Sequence, residues 1–200
     1  PELPLPNALA HWAYSKAGQD NFISKHTGFG GGQTNGEYLV LRLAQNHQTQ
    51  TESLICSYML IMPPSPKSPI SQFLTIRPKS NGMQRSVRGV IFEAGGMIYS
   101  IGKSRYGSGF RTTMLRADSQ ASGRHHMIGV RLGIQENPDT PFAYPIYCYQ
   151  LKSQRTKAEK KQLQGRKPPD DEFVSKHISG FPHIIERLRS SAKSGLGCII

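Results

Sequence analysis

Between residues 37 and 152 the chain is a succession of short runs rich in β-branched, aromatic and aliphatic residues, cut at fairly even intervals by Gly, Pro, Asn and Ser. Runs spaced in this way belong to antiparallel sandwiches and barrels, because the connections are too short for the crossover helices that parallel strands require. The pattern predicts strands at 37–44, 53–62, 70–77, 83–92, 97–103, 109–116, 125–133 and 142–152. Roughly eight strands can close on themselves. The expected fold is therefore mainly β, an antiparallel barrel or strongly curved sheet of about eight strands with a few peripheral helices.

The breaks carry their own chemistry. Glu93-Ala94-Gly95-Gly96 is the strongest hairpin signal, because paired glycines supply the positive φ of a tight turn. Ser80-Asn81-Gly82 is a second such turn, and Asn137-Pro138-Asp139-Thr140-Pro141 reads as an irregular connection. The run Pro63-Pro64-Ser65-Pro66-Lys67-Ser68-Pro69 cannot donate to a ladder and must be a connection or a protected edge. Leu39, Leu41 and Leu43 share one strand face, as do Ile128, Val130 and Leu132, and both rows are expected to point into a core. Residues 54–62 are apolar on both faces, which predicts a central strand or one covered from outside by a terminal helix.

Three segments follow from this reading: an N-terminal helix and Gly-rich connection at 1–36, a barrel-like domain at 37–152, and a basic linker with a helical tail at 153–200. In the first, Asn7 can cap a short helix over 7–15 that carries Leu9, Ala10, Trp12 and Ala13. The stretch GFGGGQTNG at 28–36 is too rich in glycine for a regular element, and Glu37-Tyr38 follow it where a phosphate loop needs Lys and Ser or Thr. In the tail, a helix is expected over 172–177, and Ile184, Ile185 and Leu188 recur at helical spacing within 181–189, a face that can dock on the barrel. Residues 195–200 are expected to be mobile.

The start Pro1-Glu2-Leu3-Pro4-Leu5-Pro6 lacks the basic and apolar regions of a secretory signal. It fits either a removed initiator Met or a longer protein with an upstream domain. The apolar runs at 54–62 and 127–134 fall far short of the roughly 20 residues of a membrane-spanning helix. Cys56, Cys148 and Cys198 cannot all pair and form no C-x-x-C, which fits a reducing, cytoplasmic setting with buried structural thiols, and Cys198 lies one place short of a prenylation position.

A formal charge of +12 calls for an acidic partner. Catalytic signatures are missing: there is no G-x-S-x-G, H-E-x-x-H or paired-carboxylate pattern, and adjacent His125 and His126 would face opposite sides of a strand. A binding module without metal or cofactor is expected in preference to an enzyme. The most suggestive cluster is the run from Gly102 to Arg111, whose cations, tyrosine and backbone amides can hold an anion. The candidate ligand residues are Arg85, Arg88, Lys103, Arg105, Tyr106, Arg111, Arg124 and His126, with the cations orienting an acid and an apolar interior receiving the rest of an amphipathic molecule. The alternative is nucleic-acid binding through the basic segment 152–167, led by Lys157, Lys160, Lys161, Arg166 and Lys167. A second copy of the chain is a further expected partner. Tyr144 faces opposite to Tyr147 and Tyr149, so the three do not form one stacking platform.

From Gly82 to Leu151 the order is a basic strand, a Gly-Gly hairpin, a basic aromatic loop, then His126-Met127-Ile128-Gly129-Val130-Arg131-Leu132-Gly133 and Pro141-Phe142-Ala143. This third of the chain resembles the β-rich sensory domain found behind an N-terminal helix-turn-helix in some bacterial transcriptional regulators, with its Gly-x-x-x-Gly strand and Pro-x-Ala final strand. The resemblance implies a sensory or interaction module of a regulatory protein whose DNA-binding part lies upstream.

Overall fold

The computed structural model describes residues 35–46, 49, 51–63, 70–78, 84–94, 96–104, 110–118, 126–136, 139–151 and 155–193. Alternating apolar runs become β1 (Gly36–Asn46), β2 (Thr51–Ile61), β3 (Ser71–Pro78), β4 (Gln84–Ala94), β5 (Met97–Ser104), β6 (Phe110–Ala117), β7 (Met127–Glu136) and β8 (Asp139–Gln150). Each pairs antiparallel with its neighbours in sequence, and β1 pairs with both β2 and β8, closing an eight-stranded barrel. Ala94 pairs with Met97 across a two-residue connection, in which Gly96 takes the expected positive φ, 74°. The irregular connection is shorter than expected, because Asp139 pairs with Glu136 and Pro141 with Ile134 inside β8. The expected helix at 7–15, the glycine-rich stretch through residue 34, the Ser80-Asn81-Gly82 turn, most of the proline run, Cys198 and 195–200 lie outside the described residues.

The registers define two ends. The β1–β2, β3–β4, β5–β6 and β7–β8 pairs finish at one end, here the upper, and the β4–β5 hairpin marks the lower. Inside, the lower part is filled by Tyr38, Met59, Ile61, Ile91, Ile98, Leu115, Met127 and Ile146, which form one buried cluster. The leucine row Leu39–Leu41 does not join it. These side chains face outward with Leu54, Cys56, Tyr58 and Ile128 and form a second core beneath the C-terminal segment. Leu132 is 41% exposed, so its row also points away from the barrel interior. Alternation fixes which residues share a face, and only the covering element decides whether the outer face is wet.

That cover is the tail, which is more than a linker. Thr156 and Glu159 form a reciprocal capping box at the start of α1 (Lys157–Leu163). The chain then adds β9 (Gly165–Lys167), antiparallel to β2 at Leu54–Cys56. Asp171 caps α2 (Glu172–His177), and Gly180 in the left-handed region with Pro182 in the first turn starts α3 (Phe181–Ser191). Their apolar faces bury Leu163, Val174, Ile178, Phe181, Ile184, Ile185 and Leu188 against β1, β2 and β8. Polar pins fix the docking. Arg187 and the Tyr147 hydroxyl both donate to buried Asp118, at 2.5 and 2.7 Å, and the Ser179 amide donates to the Tyr149 hydroxyl at 3.1 Å. Among the described residues no helix is long and apolar enough to cross a membrane.

Candidate functional site: an arginine-lined barrel end

Strand register carries several arginines to one place. Tyr38, Val40 and Arg42 alternate inward on β1, as do Met127, Gly129 and Arg131 on β7, and Arg111 comes inward on β6 opposite Gly133. Arg77 of β3 stands directly opposite Arg85 of β4 on the same inward register. Arg166 of β9 pairs with Ile55 on the inward face of β2 and is exposed. All belong to the upper half. The single acidic residue on an inward register position of the described strands, Glu93, lies beside the lower hairpin.

The inward arginines meet at Tyr144. The Arg42 guanidinium carbon sits 4.6 Å from the centre of its ring, Phe142 stacks on it at 5.1 Å, and Arg131 Nε donates to Thr113 Oγ1 at 3.2 Å. Burial pushes the Tyr144 phenol up, but the charges of Arg131, Arg42 and Arg111 and a hydrogen bond with Arg131 outweigh it and leave it below the ordinary tyrosine value. Burial lowers the Arg42 guanidinium; Tyr144 opposes this, while Arg131 and Arg166 add to it. Arg131 is only 7% exposed, and no carboxylate among the described residues forms an ion pair with Arg42, Arg131 or Arg166. Thr75, Ser100, Arg111, Thr113 and Arg131 border one gap with Phe73 and Val87, too narrow for a water molecule, and buried Thr75 Oγ1 has no hydrogen-bond partner there. Cations without an ion-pair partner among the described residues, here Arg42 and Arg131, are a chemical fit for an oxyanion.

The residues singled out in the sequence are dispersed. Arg111 is in the cluster, and Arg85 is on the inward register of the same end. Arg88 and Lys103 pair with each other on the outer face and are exposed. Arg105 and Tyr106 lie outside the described residues, although the strand ends that flank them, Ser104 and Phe110, are at the arginine end. Arg124 also lies outside them, although the strand ends that flank it, Ala117 and Met127, are at the opposite end. His126 is outward and buried under the tail side of the barrel, its Nδ1 accepting from the Gln150 amide at 3.0 Å and its ring stacked on Tyr149 at 4.3 Å. The filled lower interior leaves no room among the described residues for the apolar part of an amphipathic ligand. Sequence reading missed Arg42 and Arg131, although each continues an inward alternation that begins in apolar residues.

The basic segment is also divided. Lys160 pairs with Glu37 at 2.6 Å and lies over the Tyr58 ring, and Lys167 pairs with Asp171 at 3.6 Å. Lys157 and Lys161 are exposed on α1, while Arg166 belongs with the barrel end.

The described cysteines are not nucleophiles. Burial pushes the thiols of Cys56 and Cys148 up to about 12, only partly offset by Lys167 and Arg131 respectively. Because a free thiol titrates near 9.0, the folded chain holds these protons more tightly than the unfolded one. Their contribution to stability is complete below about pH 9 and is lost as pH rises toward 12. Melting temperature should therefore fall between pH 9 and 10, with buried tyrosines raised above their ordinary 10.0 adding to the fall near its upper end, and a Cys56→Ala, Cys148→Ala chain should show a shallower slope. An unchanged slope in the double variant would refute the assignment.

Fold and site together define a closed antiparallel β-barrel with an apolar lower interior and a cationic upper one. Comparison of the chain with protein-family models, curated proteins and solved structures finds no match.

Proposed function

We propose that this chain is a non-catalytic binding module that takes a small anion at the arginine-lined end of its barrel. The observation that carries the reading is the convergence of Arg42, Arg111 and Arg131 on Tyr144, in an end whose described inward positions hold no carboxylate. Bringing like charges together away from water is unfavourable, and an anion bound among them removes that repulsion. The resemblance of Gly82 to Leu151 to a regulator-associated domain supports a sensory role, in which occupancy of this end is reported to an attached or partner domain in the cytoplasm.

Thermal unfolding of the full chain tests the reading. Replacing chloride by phosphate, sulfate or citrate at matched ionic strength should raise the melting temperature, and a ligand at a hundred times its dissociation constant adds about 2.7 kcal/mol. Arg131→Gln should unfold at the same temperature in every salt. If wild type and variant respond alike to all three oxyanions, the proposal fails.

A further inference from the structure

The outer wall of the barrel carries a second surface, separate from the arginine-lined end. The outward positions of β7 are aliphatic from Ile128 to Ile134, but the tail covers only the lower part of this row. Ile128 is buried in the core beneath the tail, whereas Leu132 and Ile134 are 41% and 49% exposed. Beside them on β6, Met114 stands opposite Val130 and is 40% exposed. These three are all the exposed large apolar side chains among the described residues, and they share one wall of two adjacent strands. Ala143 and Pro145 continue it onto β8.

Cations flank the strip. Arg88 and Lys103 stand directly opposite each other on the outer face of β4 and β5, both exposed, a like-charge pairing that weakens a sheet. Arg116 is exposed two positions beyond Met114 on β6. None of the three forms an ion pair with a described carboxylate, and the outward positions of β4, β5 and β6 hold no acidic residue. Glu136 and Asp139 pair at the end of the β7–β8 ladder and bound the strip at its upper edge.

We propose that this wall docks on an anionic membrane surface, with Met114, Leu132 and Ile134 entering the interface and Arg88, Lys103 and Arg116 meeting acidic headgroups. Apolar side chains flanked by cations match both attractions that such a surface offers. Shape favours the same partner. The outside of a closed barrel is convex, and both edges of β6 and β7 are paired, so the wall gives a peptide neither a groove nor a free strand edge. A membrane needs neither. Nucleic-acid phosphates would satisfy the cations and leave the aliphatic side chains without a partner. A second copy brings the same charge of +12, which opposes self-association.

Cosedimentation of the full chain with sucrose-loaded vesicles tests this, using phosphatidylcholine alone and phosphatidylcholine with about one third phosphatidylserine. The chain should bind the anionic vesicles, bind the neutral ones far more weakly, and be released by added salt. Replacing Arg88 and Lys103 together by Gln should lower partitioning by about tenfold or more. Leu132→Asn with Ile134→Asn should lower it by about tenfold at an unchanged melting temperature, and Met114→Gln serves if that pair does not fold. Lys157→Gln with Lys161→Gln, exposed on α1 beside β2, should change it by less than about twofold. No binding to the anionic vesicles overturns the proposal. Binding that persists in the Leu132 and Ile134 pair and in Met114→Gln belongs to net charge and overturns it too. A chain that ignores the vesicles but sediments as a dimer, and as a monomer once Leu132 and Ile134 are replaced, gives the wall to a second copy and overturns the membrane.

Discussion

A chain ending at Lys152 is expected to express as aggregate, even though it retains every strand of the closed barrel. The tail buries Leu163, Val174, Ile178, Phe181, Ile184, Ile185 and Leu188 against the outer faces of β1, β2 and β8. Burial of one large aliphatic or aromatic side chain is worth roughly 1.5–3 kcal/mol, and whole domains are stable by only about 5–15 kcal/mol. Removing the cover therefore withdraws more than the barrel has to spare, and it leaves Leu39, Leu41, Leu54 and Tyr58 in water on one contiguous patch. It also takes Arg187 of α3 away from the buried Asp118, which then keeps no cation from the tail. A milder version is Leu188→Ala, at a fully buried position, which should cost about 2–5 kcal/mol by chemical denaturation. A soluble, cooperatively folding 1–152 chain would refute the two-core account.

Gly129→Ala should be among the most damaging single methyl additions in the barrel. A Cβ at this position would lie 1.9 Å from the Met114 carbonyl oxygen and 2.8 Å from the Leu115 Cα, atoms of the paired β6 backbone. Neither can swing aside as a side chain can. The clash is relieved only by parting β6 from β7, so the cost should reach about 3 kcal/mol or more, the upper range for overpacking. Gly89, whose Cβ would meet the Ile101 oxygen at 1.9 Å, marks a matching tight approach between β4 and β5. Gly96→Ala is the contrast: φ is 74° but nothing lies within 4 Å, so the left-handed backbone alone should cost about 1–2 kcal/mol. Equal losses at Gly129 and Gly96 in denaturant titrations would sink this explanation.

The candidate site was legible only in part, for a specific reason. Arg111 drew notice because it stands near other cations in sequence, and Arg85 because it shares a strand face with apolar Val87 and Ile91. Arg42 and Arg131 stand alone among apolar neighbours, and what unites them is inward register on strands brought together by closure through β1–β8. Loop-rich clustering in sequence led instead to Arg88 and Lys103, which alternate outward. His126 likewise shares the Ile128 face of its strand, which is the outer one.

What the sequence determined by itself was the periodic information: the antiparallel runs of the barrel, the Gly-Gly turn between β4 and β5, the helix at 172–177, and the amphipathic stripe of Ile184, Ile185 and Leu188. Each depends on neighbours within a few positions, where period and turn chemistry decide the outcome. Tertiary structure alone decided which face of each strand is inside, that Gly165–Lys167 joins the sheet, and that arginines far apart in the chain share one end. A period of two records which side chains travel together but contains no sign for in or out. That sign is set when the ladder closes and the tail covers one outer face, leaving the cations of the upper interior no direction but toward each other.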